Sequence, residues 1–199
     1  MVRSIFLALP TLAFAGPVAI ESRQAPDVRL TSVSLTGAGC PPGSFSASIL
    51  GEEQKIALTL FDAYEILAGQ GVPANNEDLT CEVSITVSLP GGCTSAVLTA
   101  TTRGYVGLAD GATALLSNKY SLSSGTTSPD PADLIFTSAE WGSGGNDFIR
   151  RDPVAISSSS QSVVFKTSLT SFLNAPNAEF VSRVTVDGLE VAVSSSATC

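Results

Sequence analysis

Histidine is absent from all 199 residues. That one absence removes Ser-His-Asp and Cys-His catalytic units, and with them every metal site that needs an imidazole ligand. Positive charge is scarce: ten Lys and Arg stand against eighteen Asp and Glu, for a net charge of −8. No basic cluster exists to neutralise phosphates, so neither nucleic acid nor an anionic membrane surface is an expected partner. None of the six asparagines lies in an N-x-S/T acceptor sequence. No phosphate-binding loop or EF-hand spacing occurs, no cofactor is implied, and no fixed-period repeat divides the chain. After residue 15 no apolar run is long enough to cross a bilayer as a helix.

The first fifteen residues contain what the rest of the chain lacks. Arg3 supplies a positive start, Ile5 to Phe14 an apolar stretch too short to span a membrane, and Ala13-Phe14-Ala15 a small-x-small cleavage site. This is the pattern of a secretory signal peptide. Cleavage after Ala15 removes one positive charge, Arg3, and takes the net charge from −8 to −9. The expected organisation is a signal peptide over 1–15, a flexible leader over 16–27, and one secreted, extracellular domain over 28–199.

Export gives the cysteines a meaning. Cys40, Cys81, Cys93 and Cys199 contain no C-x-x-C pair, and an oxidising compartment favours disulfides over zinc. Cys81, Val83, Ile85, Val87 and Leu89 alternate with Glu82, Ser84, Thr86 and Ser88, the period of a half-buried strand. Pro90-Gly91-Gly92 then turns the chain and Cys93 begins the next strand. Along such a strand Cys81 and Cys93 end roughly 27 Å apart at about 3.4 Å per residue, whereas a disulfide needs Cα atoms within about 7 Å. Each must therefore pair with Cys40 or Cys199, and the favoured arrangement is Cys40 with Cys93 and Cys81 with Cys199.

Strand signals dominate elsewhere. Val184 and Val186, then Asp187-Gly188, then Leu189, Val191 and Val193 read as a hairpin around a two-residue turn. Shorter alternating runs cover Val28–Leu35, Phe45–Ile49, Lys55–Phe61, Ala96–Tyr105, Ala112–Leu122, Leu134–Thr137 and Val163–Leu169. Asp62–Ala68 also fits a short helix, and Phe172-Leu173 a helical turn. Ser121–Pro131 and Ser157–Ser160 read as loops. Many short strands with Ser/Thr-rich faces and Gly/Pro punctuation predict an all-β, single-domain antiparallel β-sandwich with long loops and at most one or two short helices.

Few residues offer chemistry. Trp141, the single tryptophan, lies in a glycine-rich stretch and is either a loop anchor or a sugar-stacking contact. Asp147 and Asp152, with Glu140, could offer oxygens to calcium but in no recognised spacing. Phe61-Asp62-Ala63-Tyr64 and Arg103-Gly104-Tyr105 combine aromatics with charge, as core residues with polar tips do.

Several motifs occur in order: Gly39-Cys40-Pro41 with Gly43-Ser44, Phe61-Asp62-x-Tyr64, Cys81 opening a strand, Leu89-Pro90-Gly91-Gly92, Arg103-Gly104-Tyr105 with Leu108, and Val186-Asp187-Gly188 before Cys199. Together they resemble domain-of-unknown-function family 4360, secreted proteins common in filamentous fungi. The resemblance covers roughly residues 28–199. Family members usually read Asn-Cys where this chain has Thr80-Cys81. They tend to carry a cysteine near Ser157–Ser160 and an aromatic at the place of Cys93, which implies a rewired disulfide here. The resemblance brings no catalytic residues. The expectation is a non-enzymatic protein acting on the cell wall or a host, with a cell-wall polysaccharide or a host protein as partner. A carbohydrate-binding module and a carboxylate-based hydrolase are the alternatives.

Overall fold

A computed structural model describes residues 28–51, 54–60, 64–72, 78–91, 93–175 and 179–198, without the side chains of 195–198. The expected signal peptide and leader lie outside the described residues, as do Phe61, Asp62 and Cys199.

The strands are β1 (Arg29–Thr36), β2 (Phe45–Leu50), β3 (Lys55–Leu60), β4 (Glu65–Ala68), β5 (Asp78–Ser88), β6 (Ser95–Gly107), β7 (Thr113–Leu122), β8 (Thr126–Thr127), β9 (Leu134–Thr137), β10 (Asn146–Ser157), β11 (Ser162–Asn174) and β12 (Ser182–Thr198), with one short helix, α1 (Ser138–Trp141). They form two antiparallel sheets. The smaller runs β1-β5-β11-β7-β9; the larger runs β2-β3-β12-β6-β10-β8, with β4 also paired to β12. The architecture is the expected β-sandwich. Alternation builds it: in β5, Cys81, Val83, Ile85 and Val87 face the core while Glu82, Ser84, Thr86 and Ser88 face out. The inner faces of both sheets supply one continuous core, including Leu30, Ile56, Leu98, Leu116, Phe165 and Val191.

Several expectations are corrected. Asp187-Gly188 is not a hairpin turn. β12 runs straight through it with a register shift between Val186 and Gly188, and Gly188 has no positive φ. An extra residue in a long central strand carries the same sequence signal as a turn, because both interrupt alternation. Of Asp62–Ala68, which also fits a short helix, Asp62 and Ala63 lie outside the described residues and Glu65–Ala68 is strand β4; Phe172-Leu173 belongs to β11. β5 and β6 lie in different sheets, so the chain crosses from one sheet to the other between Ser88 and Ser95.

The disulfide pairing also differs. Cys40 is bonded to Cys81, with Cα atoms 5.5 Å apart, and not to Cys93. Cys93 is disulfide-bonded as well. Cys81 and Cys93 are indeed not bonded to each other, and Cys40 reaches Cys81 because the turn after β1 lies against β5. Thr36 pairs with Glu82, which leaves the chain beside Cys81 as it turns. Gly39 lets it stay there: a Cβ at that position would lie 2.4 Å from the Tyr64 ring.

Candidate functional site

Two places gather polar side chains, one inside the sandwich and one on its surface. The interior cluster joins the sheets. Arg150 Nε donates to both oxygens of Asp152, at 3.1 and 2.8 Å, and its terminal nitrogens donate to the carbonyls of Leu116 and Ala132. Asp152 Oδ2 also accepts from the Tyr120 hydroxyl at 2.8 Å and from Asn118 Nδ2 at 3.0 Å. Burial first, then the hydrogen bond to Asp152 and its negative charge, push the Tyr120 phenol well above its ordinary range. An acid, a phenol and a guanidinium in contact resemble catalytic equipment. They are sealed in, however: the Arg150 and Asp152 side chains are 8% and 9% exposed, too little for a substrate to reach them. Segment 128–133 closes over the cluster, with Asp130 accepting from the Tyr120 backbone and Ala132 from Arg150. Its role is to hold β7 against β10.

The surface candidate lies on the outer face of the larger sheet. Along β6 the outward positions include Thr101, Arg103 and Tyr105; across the ladder Gly188 faces Arg103 and Glu190 faces Thr101, and Thr59 of β3 faces Gly188. The bulge in β12 brings Asp187 into the same group. All of these but Tyr105 line a hollow of about 230 Å³ open to solvent. Ala57 and Gly188 are the small residues of its lining, and Thr59, Thr101, Arg103, Asp187 and Glu190 supply polar groups. Glu190 is paired with Lys55 at 2.7 Å. Arg103 is exposed and makes no ion pair or side-chain hydrogen bond among the described residues. Ile149, 57% exposed, stands opposite Arg103 on β10 and extends the surface with an apolar contact.

The residues singled out from sequence are divided between these places and the core. Tyr64 is 1% exposed, and its hydroxyl donates to the carbonyls of Leu79 and Leu169 at 2.9 and 3.1 Å. Trp141 is half-buried and meets Phe136 edge-on at 4.9 Å, and Phe136 in turn packs on Phe148 at 5.3 Å. Phe136 and Phe148 belong to the core, and Trp141 packs against it. Tyr105 lies across the loop from Trp141, its hydroxyl donating to Gly144 O at 3.1 Å. A Cβ on Gly145, whose φ is +60°, would fall 2.1 Å from that hydroxyl oxygen. Trp141 and Tyr105 therefore brace one loop, and Trp141 is not in the hollow. Asp147 and Asp152 point to opposite faces of β10, Asp147 outward and Asp152 into the cluster, so they do not form one ligand set. Asp187 and Glu190, which line the hollow together, were hidden by the hairpin reading: a turn would have separated them.

A family profile described as Domain of unknown function (DUF4360) matches residues 26–194. An uncharacterized secreted protein of Arthroderma benhamiae is 31% identical over 132 residues, 64% of this chain and 51% of that protein. The chain thus spans about half the length of that curated relative. A solved structure, TmCBM61 in complex with beta-1,4-galactotriose, aligns with a TM-score of 0.33 at 11% identity over 83% of this chain and 91% of the other, too distant a likeness to carry a shared ligand. Among the described residues no helix is long and apolar enough to cross a membrane.

Proposed function

The chain belongs to the family described as domain of unknown function DUF4360, whose description names no activity, and from that premise we propose that it is a secreted binding protein without catalysis of its own. Its ligand is a hydroxyl-rich wall polysaccharide held on the outer face of the larger sheet. Export is supported by the sequence of residues 1–15 and by the description of the fungal relative as secreted.

The hollow between β3, β12 and β6 carries this reading. A guanidinium offers several donors in a fixed fork, carboxylates accept pairs of hydroxyl protons, and threonine hydroxyls do either. Arg103, Asp187, Glu190, Thr59 and Thr101 set these groups around one opening, a match for the vicinal hydroxyls of a sugar. Ile149 and the half-buried Tyr105 supply apolar surface beside it for the C–H faces of a neighbouring ring.

Two carboxylates in one hollow also suit a glycosidase. Against that, Glu190 is engaged by Lys55, and the hollow lies open on a sheet face, where water is not excluded. Retention of the secreted protein on insoluble chitin, β-glucan and cellulose tests the proposal. At least one polymer is expected to retain it, and Arg103→Ala and Asp187→Ala each weaken binding by about tenfold, the loss of one hydrogen bond to a charged group. Retention on none of them sinks the reading and leaves a host or wall protein as partner. Release of soluble reducing sugar, abolished by Asp187→Asn, would favour the hydrolase.

A further inference from the structure

The described edges of the two sheets differ in how they are protected. β1 carries Arg29 and an irregularity between Leu30 and Ser32. β4 and β9 have four residues each and β8 two. Short, bulged or charged edges resist pairing with another chain. β2 has none of these devices. It runs Phe45-Ser46-Ala47-Ser48-Ile49-Leu50 without charge or proline, in unbroken register with β3. Among the described residues β3 is its one strand partner, and every residue from Ser46 to Leu50 is exposed. Ile49 and Leu50 are 42% and 47% exposed. A strand hydrogen-bonded on one side presents a row of free N–H and C=O groups on the other.

The order of residues indicates what pairs there. Phe45-Ser46-Ala47-Ser48-Ile49 has the same pattern read in either direction: large apolar, serine, alanine, serine, large apolar. Laid antiparallel against itself and centred on Ala47, it sets each Phe45 opposite Ile49 and each Ser46 opposite Ser48. Ile49 pairs with the buried Ile56 across β3, so it points to the core side, where the edge leaves it uncovered. The Phe45 of a second copy would cover it. A two-fold interface demands this self-complementarity, whereas an unrelated strand has no reason to match it.

We propose that β2 is the docking strand for a second copy of this chain, making a closed dimer whose larger sheets join edge to edge through β2–β2 pairing. The proposal is independent of what the hollow binds. Analytical ultracentrifugation of the secreted protein over a range of concentrations tests it. The expected result is a reversible species of twice the chain mass. Ala47→Lys, which sets two like charges face to face on the two-fold axis, raises the dissociation constant by about tenfold or more. Ile49→Thr, which keeps a β-branched residue but removes the apolar contact, weakens the dimer while leaving the circular dichroism spectrum of the dilute monomer unchanged. Ser117→Lys, on the outer face of the smaller sheet, leaves it unchanged. A single chain mass at every concentration, a dimer indifferent to Ala47→Lys, or a mass that grows without limit would each overturn the proposal.

Discussion

Asp152, which the sequence offered only as a possible calcium ligand, ties together three side chains of the interior. Its carboxylate receives the Arg150 guanidinium, the Tyr120 hydroxyl and the Asn118 amide. Attraction between the buried charges roughly offsets their loss of hydration, so the pair adds little net stability while complete. Breaking it is another matter. Asp152→Ala leaves Arg150 charged, buried and held only by the Leu116 and Ala132 carbonyls, at a cost of about 3–5 kcal/mol. The double variant Arg150→Met, Asp152→Leu removes both charges and recovers much of that loss, though Tyr120 and Asn118 still lack their acceptor. Urea unfolding of the single and double variants measures the difference. A loss below about 1 kcal/mol for Asp152→Ala, the range of surface pairs, would mean the pair is not desolvated.

At the scale of elements, the Cys40–Cys81 bridge ties the turn after β1 to the start of β5. It closes a loop of 41 residues, for which chain entropy gives a stabilisation of about 4 kcal/mol. Replacing both cysteines by serine is expected to lower stability by up to that amount while leaving the fold intact, as thermal unfolding would show. Non-reducing peptide mapping is expected to find Cys40 with Cys81, and Cys93 with Cys199, the one cysteine then left to it. A Cys40–Cys93 peptide would restore the pairing expected from the sequence. The bridge also marks how far the elements were legible. β5 was readable because every inward position is apolar. β10 was not: its inward row is Phe148, Arg150, Asp152, Val154 and Ile156, and an ion pair in mid-strand erases the hydrophobic period, so Asp147 and Asp152 read as possible ligands of one ion rather than as opposite faces of a strand. β12 showed its period on both sides of Asp187-Gly188, but a bulge and a turn write the same interruption. The hollow was missed with it, since Asp187, Glu190 and Arg103 come together only when β12 continues and lies between β3 and β6.

On the scale of the whole molecule, two tyrosines join the sheets through their phenols. Tyr120, on the smaller sheet, donates to Asp152 on the larger. Tyr64 accepts from the Val186 backbone of the larger sheet through its carbonyl and donates through its hydroxyl to Leu79 and Leu169 on the smaller. Burial pushes both phenols above their ordinary range, and Asp152 raises Tyr120 further. In the unfolded chain each ionises near pH 10. Above that pH the folded protein keeps protons that the unfolded chain loses, so stability falls as pH rises; below it, these two residues contribute no pH dependence. The melting temperature is therefore expected to drop steeply above about pH 10, and ionisation of these two phenols, followed by ultraviolet absorbance, to coincide with loss of the β-sheet signal. Tyr64→Phe and Tyr120→Phe each lose about 1–2 kcal/mol at neutral pH, yet together they flatten the alkaline fall, because no buried phenol then remains to be ionised by unfolding. Complete phenolate formation with the sheets still intact would contradict the bridging role, since a phenolate can donate to neither sheet.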